Sequence, residues 1–414
     1  MKKNKIVNNT IMLAIFNIAK IVFPFITLPY LTRVLTTETY GVVTYVKTVM
    51  TYMQIFVDFG FVLSATKDIV KVKNDKQALN TVVGNTLIAR LILGVIGFII
   101  VFILSVAIPI LRENILYTIL SYAVVFATIF LMDFLFRGIE KMHIITIRFI
   151  VMKIISTALT FIFIKDDSNL LWIPLLDIIS SLISILLVFI EIKKLDIKMK
   201  FSGIKNTMKS IKDSFVYFVS NVATTSFNAF STIIIGIYIS KSDVAFWGVC
   251  MQIIGTIQAC YSPISDGIYP EMIRSKNLKI IRNVLKIFIP IILVGCILGY
   301  FLAEPGLSIL GGKEYLQAAP IFRLLIPTLF FGFLSIIFGW PALGAIDKVK
   351  EVTISTVIGV GVNILLLILL IVLNQFTLIN IAIVRNITEI ALFSVRFYYY
   401  KKYKSEFTIE KEIA

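Results

Sequence analysis

Five polar side chains recur at helical spacing within an otherwise apolar stretch. Thr44, Lys47, Thr51, Gln54 and Asp58 are separated by 3, 4, 3 and 4 positions, which places them on one face of a helix. At about 1.5 Å per residue, this polar stripe is about 20 Å long. Such a stripe indicates a water-filled cavity or a polar partner, and its Asp58 could pair with a cation or titrate.

Other polar side chains also lie within apolar stretches of the chain. Lys20 and Arg90, like Lys47, have no acid at helix-neighbour spacing, which favours positions facing a cavity. The second half of the chain repeats the theme with uncharged groups, and Asp177 joins Asp58 as a carboxylate that could titrate or pair with a lysine. The uncharged candidates, which could equally hydrogen-bond between helices, are Asn221, Thr224, Asn228 and Gln252.

Two ion pairs and one lysine have simpler interpretations. Arg385 with Glu389 and Asp133 with Arg137 are spaced four residues apart, so each pair is expected to neutralise itself on its own helix. Lys153 is placed near a helix end, from which its ammonium would reach the membrane surface.

The elements that position these residues are apolar segments of membrane-spanning length. Hydrophobic residues make up 58% of the 414 positions and charged residues 15%, far from soluble domains, which carry about 25% charge. A spanning helix needs roughly 20 apolar residues. Twelve windows qualify: 6–31, 40–63, 78–108, 114–136, 143–164, 169–190, 214–239, 244–265, 284–303, 315–339, 352–373 and 378–400.

Lysine and arginine give an independent test of this topology. With twelve crossings, 29 of the 40 cations fall on the side of both termini, 5 fall on the opposite side and 6 lie within segments. Positive residues favour the cytoplasmic side, so we predict that both termini are cytoplasmic. The cations behind the net charge of +16 are spread over these short loops, where they fix the topology and face anionic membrane headgroups. We therefore expect no nucleic-acid partner.

The longest basic loop divides the chain into two halves. We predict an N-terminal six-helix bundle over 1–190, a basic cytoplasmic linker over 191–213, a C-terminal six-helix bundle over 214–400 and a cytoplasmic tail over 401–414. A faint repeat supports a duplication: LTRVLTTETYGVVTYVKTVMTYMQ and IYISKSDVAFWGVCMQIIGTIQA lie about 205 residues apart.

Little of the chain is left for catalysis or for a prosthetic group. The longest polar stretch has about twenty residues, whereas an independent domain needs about 50. The three cysteines lack CxxC spacing and the chain has one histidine, so we expect no metal and no cofactor. We therefore predict a protein that is not an enzyme.

Several stretches together resemble a known family. They are ITLPYLTRVLTTETYGVVTYV (26–46), DFGFVLSATKDI (58–69), YISKSDVAFWGVCMQIIGTIQACYSPISDGIYP (238–270) and ILGGKEYLQAAPIFRLLIPTLFFGFL (309–334). In order and spacing they are similar to polysaccharide-export flippases of the Wzx type. That superfamily also holds MATE drug exporters and the lipid II flippase, and the resemblance runs nearly end to end.

The resemblance implies two six-helix bundles that alternate between inward- and outward-open states around a cationic cavity. The implied cargo is a polyprenyl-diphosphate-linked oligosaccharide. The implied partners are membrane lipids, a polysaccharide polymerase and a chain-length regulator. Lys20, Lys47 and Arg90 become candidate diphosphate ligands. Asn221, Thr224, Asn228 and Gln252 become candidate ligands of sugar hydroxyls, and Asp58 and Asp177 candidate ion-coupling groups.

Two other functions remain open from the sequence. A MATE-like, ion-coupled exporter of cationic drugs would favour uncompensated carboxylates in its cavity. A membrane-embedded polysaccharide polymerase or ligase would need a large outer loop with catalytic groups, whereas the longest outer loop, about 303–315, is short.

Overall fold

The protein is helical throughout the part that the structure describes. The structure, a computed structural model, describes the backbone of residues 2–408 and the side chains of 9–408 other than 224 and 226–228. Within these limits, the extended structure consists of an isolated bridge between Asn277 and Thr408. The chain forms two compact units, Met1–Thr225 and Ser226–Ala414, and the boundary falls inside one long helix.

The first unit packs its long helices in antiparallel neighbours joined by short turns. α8 packs against α1 and α9, and α2 packs against α4 and α6. The helices are α1 (Lys2–Val34), α2 (Thr37–Asp58), α3 (Phe61–Val72), α4 (Lys76–Ala107), α5 (Pro109–Arg112), α6 (Ile115–Ala127), α7 (Asp133–Gly138), α8 (Met142–Phe163), α9 (Trp172–Lys194) and the first part of α10 (Ile204–Tyr238), which continues into the second unit.

The second unit contains the remaining helices. α18 packs against α15, α16 and α17, while α13 contacts α16. The helices are α11 (Lys241–Ala259), α12 (Ser262–Ser275), α13 (Leu278–Phe301), α14 (Ala303–Gly311), α15 (Ala319–Leu325), α16 (Pro327–Ile337), α17 (Val349–Val372) and α18 (Leu378–Lys402).

The helices have the length and apolarity of a multi-pass membrane protein. Among the described residues, 11 helical segments are long and apolar enough to cross a bilayer, and Ala229–Tyr238 is a shorter apolar helix. This last stretch is the end of α10, where the sequence predicts a segment over 214–239. The predicted all-α integral membrane class is therefore confirmed.

The two related sequence stretches begin their helices with the same cap. The Thr36 side chain accepts a hydrogen bond from the Thr39 backbone at the start of α2. Ser240 does the same for Asp243 at the start of α11. Each cap satisfies a backbone N–H that the helix cannot pair internally, so TTET and SKSD are equivalent start signals in the two halves.

The basic segment predicted as a linker is mostly helical and is held in place. Its ends belong to α9 and α10, and the stretch between them lies along α4. The Lys200 backbone donates to the Asn80 carbonyl at 3.0 Å, and the Ser202 backbone donates to Asn85 Oδ1 at 3.1 Å. Any Cβ at Gly84 would collide with the Lys200 backbone. Asp196, which lies just after the end of α9, accepts a hydrogen bond from Lys76, and this ammonium lowers the pKa of the Asp196 carboxyl.

The predicted orientation gives a direct topological test. Reporter fusions after Lys76, Lys205 and Lys404 are expected to be cytoplasmic. Fusions after Arg112, Lys241 and Lys313 are expected to be external, because the chain alternates sides at every crossing. The paired alkaline phosphatase and green fluorescent protein activities of each fusion measure this. An external Lys205 would contradict the division into two six-helix halves.

Candidate functional site

The polar stripe of α2 lies on the face of the helix opposite to a buried apolar face. Val42, Val46, Val49, Met53 and Val57 are buried against the rest of the first unit. Because these residues fix the rotation of α2, the opposite face stays accessible. On that face Lys47 and Thr51 are exposed, while Thr44, Gln54 and Asp58 are partly buried.

Lys47 is an accessible cation at membrane depth. Among the described residues it forms no ion pair, and it lies within electrostatic range of Lys153 and Asp177. Its ammonium is thus free to meet an anion, whereas the neighbouring lysine has a carboxylate of its own.

Lys20 is another accessible cation at membrane depth in this unit. Its Nζ lies 4.5 Å from the centre of the Phe16 ring, which gives it a cation–π contact. It lies within electrostatic range of Asp58 and Asp133, but also of Arg137. An exposed lysine on an aromatic ring can still bind an anion without breaking a salt bridge.

The side chain of Arg90, in contrast, is already paired with a carboxylate. It is 4% exposed, and its Nη2 lies 2.5 Å from Asp58 Oδ1 while its Nη1 donates to the Ile129 carbonyl at 3.2 Å. Gln54 Nε2 donates to the other oxygen of Asp58 at 2.9 Å. The structure thus joins Asp58 and Arg90, and Arg90 could contact a ligand only after losing this pairing.

A second arginine, Arg148, has the same arrangement and was missed by the sequence analysis. It is 4% exposed, its Nη2 pairs with Asp133, and its Nη1 donates to the Leu131 carbonyl at 2.8 Å. The predicted Asp133–Arg137 pair is therefore wrong. The position of Arg148 inside the apolar window 143–164 was the available signal.

Both arginines donate hydrogen bonds to backbone carbonyls at a break in the fourth spanning segment. α6 ends at Ala127, residues Thr128–Leu131 form a 3-10 turn, and Met132 has a φ of 48° before α7 begins. Such a break leaves carbonyls without helical partners, and those groups must be satisfied inside a membrane. Arg90 and Arg148 supply the donors, and Asp58 and Asp133 balance their charges.

Asp177 lies in a separate polar group between α8 and α9. Ser156 Oγ donates to Asp177 Oδ1 at 2.6 Å, and Lys153 Nζ lies 3.5 Å from the same oxygen. Because α8 spans Met142–Phe163, Lys153 lies near the middle of the helix. The interpretation of Lys153 as a residue at a helix end is therefore wrong.

The uncharged candidates are only partly described. Asn221, in α10, and Gln252, in α11, are partly buried, and Gln252 Nε2 lies 3.5 Å from Thr256 Oγ1 on its own helix. The side chains of Thr224 and Asn228 lie outside the described residues.

The predicted Arg385–Glu389 pair in the second unit is confirmed. The two groups lie 2.8 Å apart, and the residues are 2% and 3% exposed. Two buried charges on one helix neutralise each other, which leaves neither as the first choice for a ligand.

The charges of the first unit therefore divide into two sets. The carboxylates deep in its segments, Asp58, Asp133 and Asp177, each face a cation. Lys20 and Lys47 are accessible and carry charge that these pairs leave uncompensated. The membrane interior of this unit is thus suited to an anion.

A family model described as "Polysaccharide biosynthesis protein" matches residues 6–276. The chain belongs to this family. The match spans more than half of the chain and covers α1 to α12, so it contains the α2 stripe and both buried arginines. The predicted family resemblance is thereby confirmed.

Relatives and solved structures agree with this family. The chain is 25% identical over 367 residues to a protein of Escherichia coli (strain K12) described as "Putative O-antigen transporter", covering 87% of this chain and 88% of the relative. Its fold is similar to that of "Lipid II flippase MurJ, inward closed conformation", with a TM-score of 0.72, 14% identity and coverage of 97% and 88%.

A multidrug transporter shows the same fold. "Inward-facing conformation of a multidrug resistance MATE family transporter of the MOP superfamily" has a TM-score of 0.67 and 16% identity, with coverage of 94% of this chain and 95% of that one. This member of the polysaccharide biosynthesis protein family is thus a multi-pass membrane protein with the fold shared by MATE and MurJ proteins.

Proposed function

We propose that the protein is a flippase for polyprenyl-diphosphate-linked oligosaccharide repeat units of a surface polysaccharide. It would work by alternating access in the bacterial cytoplasmic membrane, with both termini cytoplasmic. The observation that carries this proposal is the accessible ammonium of Lys47 on the polar face of α2, which forms no ion pair with any side chain that the structure describes. A diphosphate entering the low-dielectric interior needs such a charge.

Two lysines and one arginine have different parts in this proposal. Lys47 and Lys20 bind the diphosphate directly, because neither must leave a carboxylate first. Arg90 contributes after its bond to Asp58 loosens, or by holding the broken fourth segment in place. The uncharged groups Asn221, Thr224, Asn228 and Gln252 hydrogen-bond sugar hydroxyls.

The charge balance separates this proposal from export of cationic drugs. A site for a cation requires a carboxylate without a counter-charge. Each of the three deep carboxylates of the first unit is paired with a cation, so none of them is available for a cationic drug. An anion, in contrast, could bind Lys20 and Lys47, whose charges these pairs do not neutralise. The name of the Escherichia coli relative, an O-antigen transporter, also points to a polysaccharide precursor and to transport without catalysis.

If transport is coupled to an ion gradient, Asp58 and Asp177 are the proposed coupling groups. Asp177 is the better placed, since its partner Lys153 lies 3.5 Å away, whereas Arg90 lies 2.5 Å from Asp58. Membrane lipids surround the protein, and a polysaccharide polymerase and chain-length regulator would take up the cargo on the outer side.

Deleting the gene tests the function in cells. We expect lipid-linked repeat units to accumulate on the cytoplasmic leaflet and surface polysaccharide to be lost, because synthesis continues while translocation stops. Quantifying labelled lipid-linked oligosaccharide beside surface polysaccharide measures both. A mutant that fails to assemble repeat units would instead show that the protein is an enzyme of the pathway.

A further inference from the structure

The second unit contains a cavity whose lining includes none of the candidate site residues described above. Its volume is about 640 Å³, and it lies between the beginning of α13, the region of Phe338 and the end of α18. All of its lining residues belong to the second unit and have described side chains.

One end of this cavity is lined by four cations. Lys279, Arg282, Lys286 and Lys404 are exposed, and among the described residues none of them forms an ion pair. Three of them are spaced three and four positions apart on α13, so they share one face. No acidic side chain is among the described residues that line the cavity. Four like charges repel one another, and an anion between them would relieve that repulsion.

The other end of the cavity is apolar. Ile289 and Phe338 line it with the rings of Phe397 and Tyr400. Ile289 lies three residues beyond Lys286, the last cation of this face, or about 4.5 Å along the helix. The part of the lining that α13 contributes thus changes from cationic to apolar beyond Lys286, as a lipid changes from its headgroup to its acyl chains.

The apolar end continues into a helix that the protein itself hardly covers. Ile281 and Ile292 are the buried residues of α13, whereas Ile291, Val294 and Ile297 on the same helix are each more than half exposed. A hydrocarbon chain lying along α13 would cover this surface.

The backbone holds the cationic end together. Thr408 donates to the Lys276 carbonyl at 2.9 Å, and Leu278 donates to the Thr408 carbonyl at 3.3 Å. Phe407 is buried, and its ring lies 5.6 Å from that of Tyr400. These contacts tie the turn that carries Lys404 to the start of α13, so the four cations are positioned before any ligand binds.

We propose that this cavity binds one anionic phospholipid, with its phosphate among Lys279, Arg282, Lys286 and Lys404 and an acyl chain along α13. Basic pockets between membrane helices commonly hold anionic headgroups. The apolar continuation along α13 favours a lipid over a soluble phosphate. The site is independent of the proposed transport site, since none of the residues that line it is among the proposed transport residues.

Native mass spectrometry of the full-length protein in detergent tests the site. The probes are phosphatidylglycerol and phosphatidylcholine with identical acyl chains. We expect one phosphatidylglycerol to remain bound under conditions that remove phosphatidylcholine. Arg282→Gln combined with Lys286→Gln should weaken phosphatidylglycerol binding by roughly fivefold per removed cation. Equal retention of the two lipids would overturn the proposal.

A matched variant controls for general charge effects. Lys350→Gln combined with Lys402→Gln removes two exposed cations outside the cavity lining and should leave the bound lipid unchanged. Ile289→Trp keeps all four cations but fills the apolar end, and it should weaken binding of the same lipid. An equal loss in the Lys350/Lys402 control would show nonspecific attraction and contradict the proposal.

Two competitors distinguish other sources of the phosphate. Excess inorganic phosphate should leave the phospholipid bound, because it lacks the acyl chain. Equimolar polyprenyl phosphate should compete weakly. Full displacement by inorganic phosphate would assign the cavity to a soluble anion, and preferential displacement by polyprenyl phosphate would assign it to the carrier lipid. Either outcome would overturn the phospholipid assignment.

Discussion

Lys47→Ala is expected to abolish surface polysaccharide while the protein still accumulates in the membrane. The accessible ammonium forms no ion pair among the described residues, so removing it leaves no buried charge behind. The loss should exceed about tenfold in export, since a diphosphate would enter the interior without its counter-charge. Surface polysaccharide and membrane abundance are measured on the same cultures.

Two variants at and beside this position make the result specific. Lys47→Arg should keep part of the activity, because charge matters more than shape for a flexible diphosphate. Thr51→Ala lies one turn further on the same exposed face and keeps the charge, so export should stay near normal. Lost abundance of Lys47→Ala would indicate a scaffold role, and normal export would remove Lys47 from the site.

Arg90→Leu is expected to destabilise the protein by about 3 kcal/mol. It leaves the Asp58 carboxylate without its counter-charge and the Ile129 carbonyl without its donor. Breaking a buried pair costs about 3–5 kcal/mol, and the partial exposure of Asp58 places this pair at the lower end. Denaturant unfolding in detergent, followed by helical circular dichroism, measures the change.

The double variant Arg90→Leu with Asp58→Leu separates pairing from other effects. Removing both charges should restore much of the stability, because no charge remains uncompensated. Lys71→Leu, which breaks the exposed pair with Asp68, is the matched control and should cost at most about 1 kcal/mol. A double variant less stable than Arg90→Leu would contradict the ion-pair account.

Hydropathy and helical periodicity predicted the features that depend on one segment at a time. Apolar runs marked the spanning helices, and the 3-4-3-4 spacing placed the α2 stripe on one face. The Arg385–Glu389 pair followed from its i,i+4 spacing on α18. All of these are local properties, since a helix repeats its geometry every 3.6 residues.

Contacts between helices could not be predicted in the same way. Asp58 and Arg90 lie on different helices, and no spacing rule connects them. Asp133 had a local candidate in Arg137, yet it pairs with Arg148 because the break at Met132 turns the chain there. Arg90 thereby changed from a candidate ligand to a paired residue, while Lys20 and Lys47 kept their accessibility.

Reconstituted flipping tests the central claim most directly. Purified protein is placed in liposomes carrying a fluorescent polyprenyl-diphosphate-linked oligosaccharide in both leaflets, and a reductant outside bleaches the fluorophore of accessible molecules. We expect nearly complete bleaching with the protein, and bleaching of about half, the outer leaflet alone, with Lys47→Ala or empty liposomes. If the unsubstituted protein also allows bleaching of the outer leaflet alone, the flippase account is contradicted.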